Sequence, residues 1–246
     1  MGRNDPCFCG SGKKTKYCHA EVNENGIVAN LLHLYNQIEI DLKSALAEKN
    51  ISPQCHKGCS DCCHDYFYVS QVEYFGILNY MMANGIDFNE TKTKAKNYMD
   101  EIEKEYPFEY RRLNDNFSHA QNKMDIRQFD DSAINKTKQG CVFLNTDTNS
   151  CDIYPVRPII CRHFGLIKRY GTCSKVPPDN YLQDTNPILE FENVDEFIIN
   201  SKTMIRRPYP LANWFLFDTI NNPLYKYSVE CSIDEYKHLL ICKSKQ

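Results

Sequence analysis

No stretch of the sequence approaches the roughly 20 apolar residues that a helix needs to cross a bilayer, so its 246 residues offer no membrane span. Met1 leads into Gly2-Arg3-Asn4-Asp5-Pro6, where an export signal would place its apolar run, and the chain is therefore expected in the cytoplasm, with no membrane partner. Basic charge is also in short supply. A formal charge of -3 argues against sequence-specific DNA binding, which normally needs a clearly basic domain, and leaves only local contacts with acidic partners. There is no glycine-rich nucleotide fingerprint, no zinc-protease helix motif and no obvious nucleophile-base pair. Internal repeats are missing as well.

Cysteine is what the chain has in excess, with 13 residues. A reducing cytoplasm does not maintain a disulfide scaffold, so metal ligation is the leading explanation. Cys173, Cys231 and Cys242 read equally well as small buried apolar residues. The remaining cysteines are clustered.

Apolar periodicity describes a mainly α protein, with helices packed around cysteine-rich loops. Ile27, Leu31, Leu34, Tyr35, Ile38, Leu42 and Ala45 recur at helical spacing and predict a helix that ends before Pro53. Ser70 and Glu73 form a capping-box pattern that starts a second helix, with Tyr74, Ile77, Leu78 and Met81 on its apolar stripe and Gly85 at its end. Ala95, Tyr98, Met99 and Ile102 mark a third helix whose lysines and acids read as a solvated face. A short helix near Arg111 to Gln121, a helical stretch after Asn193 and a capping box at Ser232 and Glu235 complete the set. Between Cys141 and Cys151 the turn-forming Asp147 to Ser150 suggests a small β-hairpin. The expected organisation is a knuckle over 1–22, a polar linker, and one cysteine-cluster domain over 27–246 with cluster segments 55–63 and 141–173.

Cys7, Cys9, Cys18 and His19 supply three thiolates and one imidazole, the complement of a closed tetrahedral zinc site. Gly10, Ser11 and Gly12 allow the tight turn between them. A phosphate loop at Gly10 to Thr15 is disfavoured, because Cys7 stands where its first glycine belongs and Lys14 replaces the required serine or threonine. Gly2-Arg3-Asn4-Asp5-Pro6-Cys7, Cys9-Gly10-Ser11-Gly12-Lys13-Lys14 and Cys18-His19 resemble the SEC-C motif found at the C-terminus of the translocase motor SecA, with Phe8 in place of the usual proline. That resemblance implies zinc and a docking role, and the locally basic Arg3, Lys13, Lys14 and Lys16 suit an acidic protein or ribosomal RNA.

Cys55, Cys59, Cys62 and Cys63 place four thiols close in sequence, and Cys141, Cys151 and Cys161 follow at spacings of ten. Cys173 is a further candidate, and His64 or His163 could add a nitrogen donor. Cys59-Ser60-Asp61-Cys62-Cys63, Cys141-Val142-Phe143-Leu144, Cys151-Asp152-Ile153-Tyr154 and Arg157-Pro158-Ile159-Ile160-Cys161-Arg162 resemble the YkgJ-type cysteine-cluster family of zinc- or iron-chelating proteins. An extra residue between Cys55 and Cys59 departs from its pattern. Soft thiolates suit zinc, iron and iron-sulfur clusters alike, so ligand chemistry leaves the metal open. Arg157 and Arg162 could offset thiolate charge, the bland alternative being a salt bridge to a nearby carboxylate.

The main expectation is a metal-binding protein, acting in chelation or trafficking, with metal ions as ligands and the knuckle as its docking piece. An iron-sulfur enzyme is the alternative. The spacing of Cys55, Cys59 and Cys62 is that of radical S-adenosylmethionine enzymes, and the cluster family also resembles lysine N-methylases. A thiol redox protein using Cys59 and Cys62 would require a thioredoxin-like sheet that the pattern does not contain.

Overall fold

In a computed structural model, residues 2–52, 58–115, 134, 136–167, 173, 175–182, 209–217 and 223–243 are described. Cys55 and the stretch after Asn193 lie outside them. The helices are α1 (Ile27–Glu48), α2 (Gln71–Asn84), α3 (Phe88–Glu105), α4 (Pro107–Asp115), α5 (Ile159–His163), α6 (Leu211–Leu216), α7 (Pro223–Glu230) and α8 (Ile233–Lys243). Strands β1 (Tyr68–Val69) and β4 (Tyr209–Pro210) pair antiparallel, as do β2 (Leu144–Asn145) and β3 (Ser150–Cys151). The architecture is mainly α. Among the described residues no strand exceeds two residues, which leaves no thioredoxin-like sheet there.

The chain divides into two units, one built from 1–55, 158–203 and 221–246, the other from 56–157 and 204–220. In the first unit α1 buries Ile27, Leu31, Tyr35, Ile38, Leu42 and Ala45, the stripe that periodicity predicts, and packs on α7. The polar stretch expected as a linker is tied down there. The Asn23 amide donates to the Val229 carbonyl, its side chain donates to the Glu230 carbonyl, and the Ile233 amide donates to the Asn25 carbonyl. Gly26 has no room for a Cβ, which would lie 2.9 Å from both the Asn23 and Cys231 carbonyl oxygens.

In the second unit the core is aromatic. Tyr74 of α2 stacks on Trp214 of α6 at 5.6 Å, and Phe215 meets Tyr74, Phe88 and Phe143 with ring centroids 5.1 to 5.7 Å apart. Phe143 belongs to the cysteine hairpin, so this core holds the metal-loop segment against the helices. Trp214 Nε1 donates to the Val69 carbonyl, which satisfies the buried indole and fixes β1 beside β4.

Helix α2 begins where the sequence predicts. The Ser70 hydroxyl accepts from the Glu73 amide, the Glu73 carboxylate accepts from the Ser70 amide and hydroxyl, and Gly85 closes the helix at φ 67°. Ser232 and Glu235 repeat the device at α8. Helix α4 starts earlier than the predicted Arg111 because Pro107 takes the first helical turn, where its missing N–H costs nothing.

Ser70 and Glu73 are both buried, so Ser70→Ala is expected to lower unfolding free energy by about 1 to 2 kcal/mol, the cost of a lost cap plus an under-bonded carboxylate. Urea denaturation of the two chains side by side tests this. An unchanged midpoint would mean that the box contributes nothing.

Candidate metal centres

The knuckle is built by backbone bonds that fold residues 5–19 back on themselves. The Cys7 amide donates to the Lys13 carbonyl, the Thr15 amide to Asp5, and the Cys18 and His19 amides to Thr15. Gly10 and Gly12 adopt φ of 74° and 73°, the left-handed turns that a side chain would strain. Gly10 also faces α1 so closely that a Cβ would overlap the Asn36 side chain. This folding brings the donor atoms of Cys7, Cys9, Cys18 and His19 within 4.8 Å of one another. Cys7 Sγ lies 3.2 Å from His19 Nδ1 and Cys9 Sγ lies 3.6 Å from Cys18 Sγ. Zinc-sulfur bonds of about 2.3 Å at tetrahedral angles place two ligand sulfurs roughly 3.8 Å apart. The spacing fits a zinc-sized cation.

The electrostatics agree with that fit. Burial, reinforced by the neighbouring sulfurs, pushes the Cys7 thiol up to about 12. Burial also acts against a Cys9 thiolate, yet hydrogen bonds from His19 and Ser11 lower its pKa to about 6. One sulfur is thus ready as a thiolate, and a cation is what would bring out the others.

In the second unit, a 3-10 turn over Asp61–His64 carries Cys62 and Cys63, with Cys59 just ahead of it. Residues 136–141 lie along this turn as a strap. The Cys141 amide donates to the Cys63 carbonyl at 2.6 Å, and the Thr137 amide donates to the His64 carbonyl. The hairpin then returns the chain, pairing Cys151 with Leu144. Cys62 is in electrostatic reach of Cys63, Cys141 and Cys151, and Cys141 of Cys151. A hydrogen bond with Cys63, then burial, raises the Cys62 thiol beyond the ordinary range. Burial raises Cys141 to about 12 and Cys151 to about 11, with neighbouring sulfurs adding to each and Arg157 opposing the shift at Cys151. Among the described residues these sulfurs do not close to the 4.8 Å that unites the knuckle donors. Their chemistry still fits a soft cation, which would offset the cost of ionising thiols out of water.

The two arginines have different roles. Arg157 stacks on the Tyr154 ring at 4.1 Å and favours the Cys151 thiolate. Arg162, by contrast, is fully buried, pairs with Glu39 at 2.7 Å and stacks on Tyr35. The carboxylate partner prevails there, because an uncompensated guanidinium could not be buried so deeply. Cys161 lies on α5, in the first unit. Cys173 is also in that unit, buried beside Val176 and Tyr181, whose hydroxyl accepts from the Cys173 amide and donates to its carbonyl.

Sequence reasoning missed the residues that hold the strap. Glu101 of α3, read as part of a solvated face, accepts the amides of Lys138 and Gln139 at 2.7 and 3.0 Å, one on each carboxylate oxygen. Lys136 reaches the Asp61 carbonyl and pairs with Asp65. Glu101→Gln removes one acceptor and the charge that draws both amides, so its metal-to-protein ratio is expected to fall while the knuckle keeps its metal. Full metal content after dialysis would show that the strap holds without Glu101.

The raised thiols fix a pH dependence for the metal-free chain. Unfolded thiols ionise near 9, whereas folded Cys7, Cys141 and Cys151 keep their protons until about 11 to 12, so stability falls as pH climbs through that window. Cys9 works the other way, adding stability between about 6 and 9. Metal needs the thiolates and should abolish the alkaline loss. Denaturation of chelated and metal-loaded protein from about pH 7 to 11 reads this out, and a flat metal-free profile would contradict it.

Comparison with known proteins is consistent with this chemistry. A 23-residue stretch is 70% identical to the protein translocase subunit SecA of Burkholderia mallei and, separately, of Burkholderia pseudomallei, covering 9% of this chain and 2% of theirs. The methionine aminopeptidase of Chlamydia trachomatis is 39% identical over 56 residues, 22% of this chain and 19% of that enzyme. The chain therefore spans only a small part of the curated relatives it matches. No solved structure matches it. The SEC-C motif matches residues 3–21, and the CxxCxxCC family, described as "Putative zinc- or iron-chelating domain", matches residues 54–178, just over half of the chain. The protein is a metal-binding protein that belongs to the CxxCxxCC family.

Proposed function

We propose that the protein carries metal at two centres, a structural zinc in the knuckle and a zinc, iron or iron-sulfur centre in the cysteine cluster, and serves metal chelation or trafficking in the cytoplasm. The knuckle ligands are Cys7, Cys9, Cys18 and His19. Cys59, Cys62, Cys63, Cys141 and Cys151 are the core of the larger set, and Cys55, Cys161 and Cys173 are further candidates on sequence grounds.

The observation that carries this reading is the backbone bond from Cys141 to Cys63 together with the raised pKa of Cys62, Cys141 and Cys151. A bound soft cation would supply the positive charge that makes their thiolate forms stable. The chain's own part is to hold the sulfurs and place Arg157 where it offsets charge at Cys151.

Docking suits the knuckle for a separate reason. A stretch of 23 residues is shared with a translocase subunit of otherwise unrelated length, which is how an attachment piece, rather than a catalytic one, recurs. Its exposed Arg3, Lys13 and Lys14 offer an edge for an acidic protein or a ribosome.

Cys62→Ser and Cys151→Ser should each lower the metal-to-protein ratio by about one whole site while the knuckle keeps its zinc. Metal analysis after anaerobic purification checks this, and visible absorption separates coloured iron-sulfur centres from silent zinc. Unchanged metal in both variants would reduce these cysteines to core residues.

A further inference from the structure

Beside the cysteine cluster of the second unit lies a cleft of about 470 Å³, lined by His64 and Cys141 together with Lys138, Gln139, Asn145 and Asp152. His64 follows Cys63 directly at the end of the 3-10 turn. Its Nδ1 lies 3.1 Å from the Thr137 carbonyl oxygen. A carbonyl can only accept, so Nδ1 carries the proton of the neutral ring and Nε2 carries the lone pair. This is the arrangement that metal-bound histidines adopt, one ring nitrogen donating to a carbonyl while the other faces the ion.

The ring bond is not needed to hold the loop. The loop is already secured without the imidazole, because the Thr137 amide donates to the His64 backbone carbonyl and the Thr137 hydroxyl, 3.0 Å from that carbonyl, lies 2.6 Å from the Gln139 carbonyl. The ring bond therefore adds orientation and little else. Of the side chains around the turn, Asp65 gives Oδ1 to Lys136 at 2.6 Å and keeps a buried Oδ2 without a hydrogen-bond partner, whereas an imidazole nitrogen is the donor that suits zinc or iron alongside thiolates.

We infer that His64 is the nitrogen ligand of the cysteine-cluster centre, binding through Nε2 from the side of the cleft, so that this centre is a mixed sulfur-nitrogen site rather than an all-thiolate one. The inference rests on the metal reading of the cluster given above. Binding through Nε2 releases no proton from the neutral ring, and the Nδ1 proton stays on its bond to Thr137.

The test is NMR of the full-length chain loaded with cadmium and labelled with nitrogen-15 at histidine. Two cadmium resonances are expected, each split by one histidine nitrogen, Nδ1 of His19 in the knuckle and Nε2 of His64 in the cluster. His19→Cys should remove only the first splitting. His64→Asn keeps a side-chain N–H near the position of Nδ1, and with it the bond to Thr137, but has nothing at Nε2. It should lose the second splitting and shift that resonance, whereas a purely structural His64 would leave both as they were. The wild-type spectrum decides even if that variant fails to fold, because a cluster resonance without splitting overturns the inference. A spectrum with the knuckle resonance alone overturns the metal reading of the cluster, and His64 with it.

Discussion

Sulfurs brought into one another's electrostatic reach and out of water cannot ionise together unless positive charge sits among them. Both cysteine-rich regions of this chain obey that constraint, and much of the surrounding structure serves it. In the knuckle the compensation is local, since His19 and Ser11 stabilise the Cys9 thiolate while Cys7 stays protonated. In the second unit it is left largely unmade, with Cys62, Cys141 and Cys151 all raised although backbone hydrogen bonds at each, and Arg157 at Cys151, act against the trend. The two centres therefore differ in how far the protein alone has prepared them.

That difference follows from what encloses each set. Twenty residues with tight glycine turns can hardly fold without drawing their four donors together, whereas the larger set depends on segments far apart in sequence. An aromatic core around Tyr74, Trp214 and Phe215 holds the hairpin through Phe143, and Glu101 holds the strap through two backbone amides. Apolar packing and one carboxylate thus carry the loops that carry the sulfurs. Neither carrier contains a cysteine.

What was legible in the sequence was what depends on local pattern. The α1 stripe, the capping boxes at Ser70 and Ser232, the hairpin between Cys141 and Cys151 and the knuckle spacing all rest on residues within a few turns of one another. Long-range partners were not legible. Glu101 reads as a surface acid because its partners are backbone amides 37 and 38 positions away, which no side-chain pattern announces. Arg162 stands beside Cys161 in sequence, yet its side chain pairs with a glutamate of α1. The polar run before Ile27 looks like a tether, but Asn23 donates to carbonyls of α7 and the Asn25 carbonyl accepts from the first amide of α8.

Gly10 joins two demands at one atom. Its left-handed backbone makes the turn between Cys9 and Cys18, and its missing side chain lets that turn rest on the Asn36 amide of α1. Metal capture and seating on the helix are therefore separable in principle but share a hinge point in this chain. A chain altered at position 10 could retain every donor and still present its knuckle at a different angle, which makes the glycine a determinant of which way the basic edge faces.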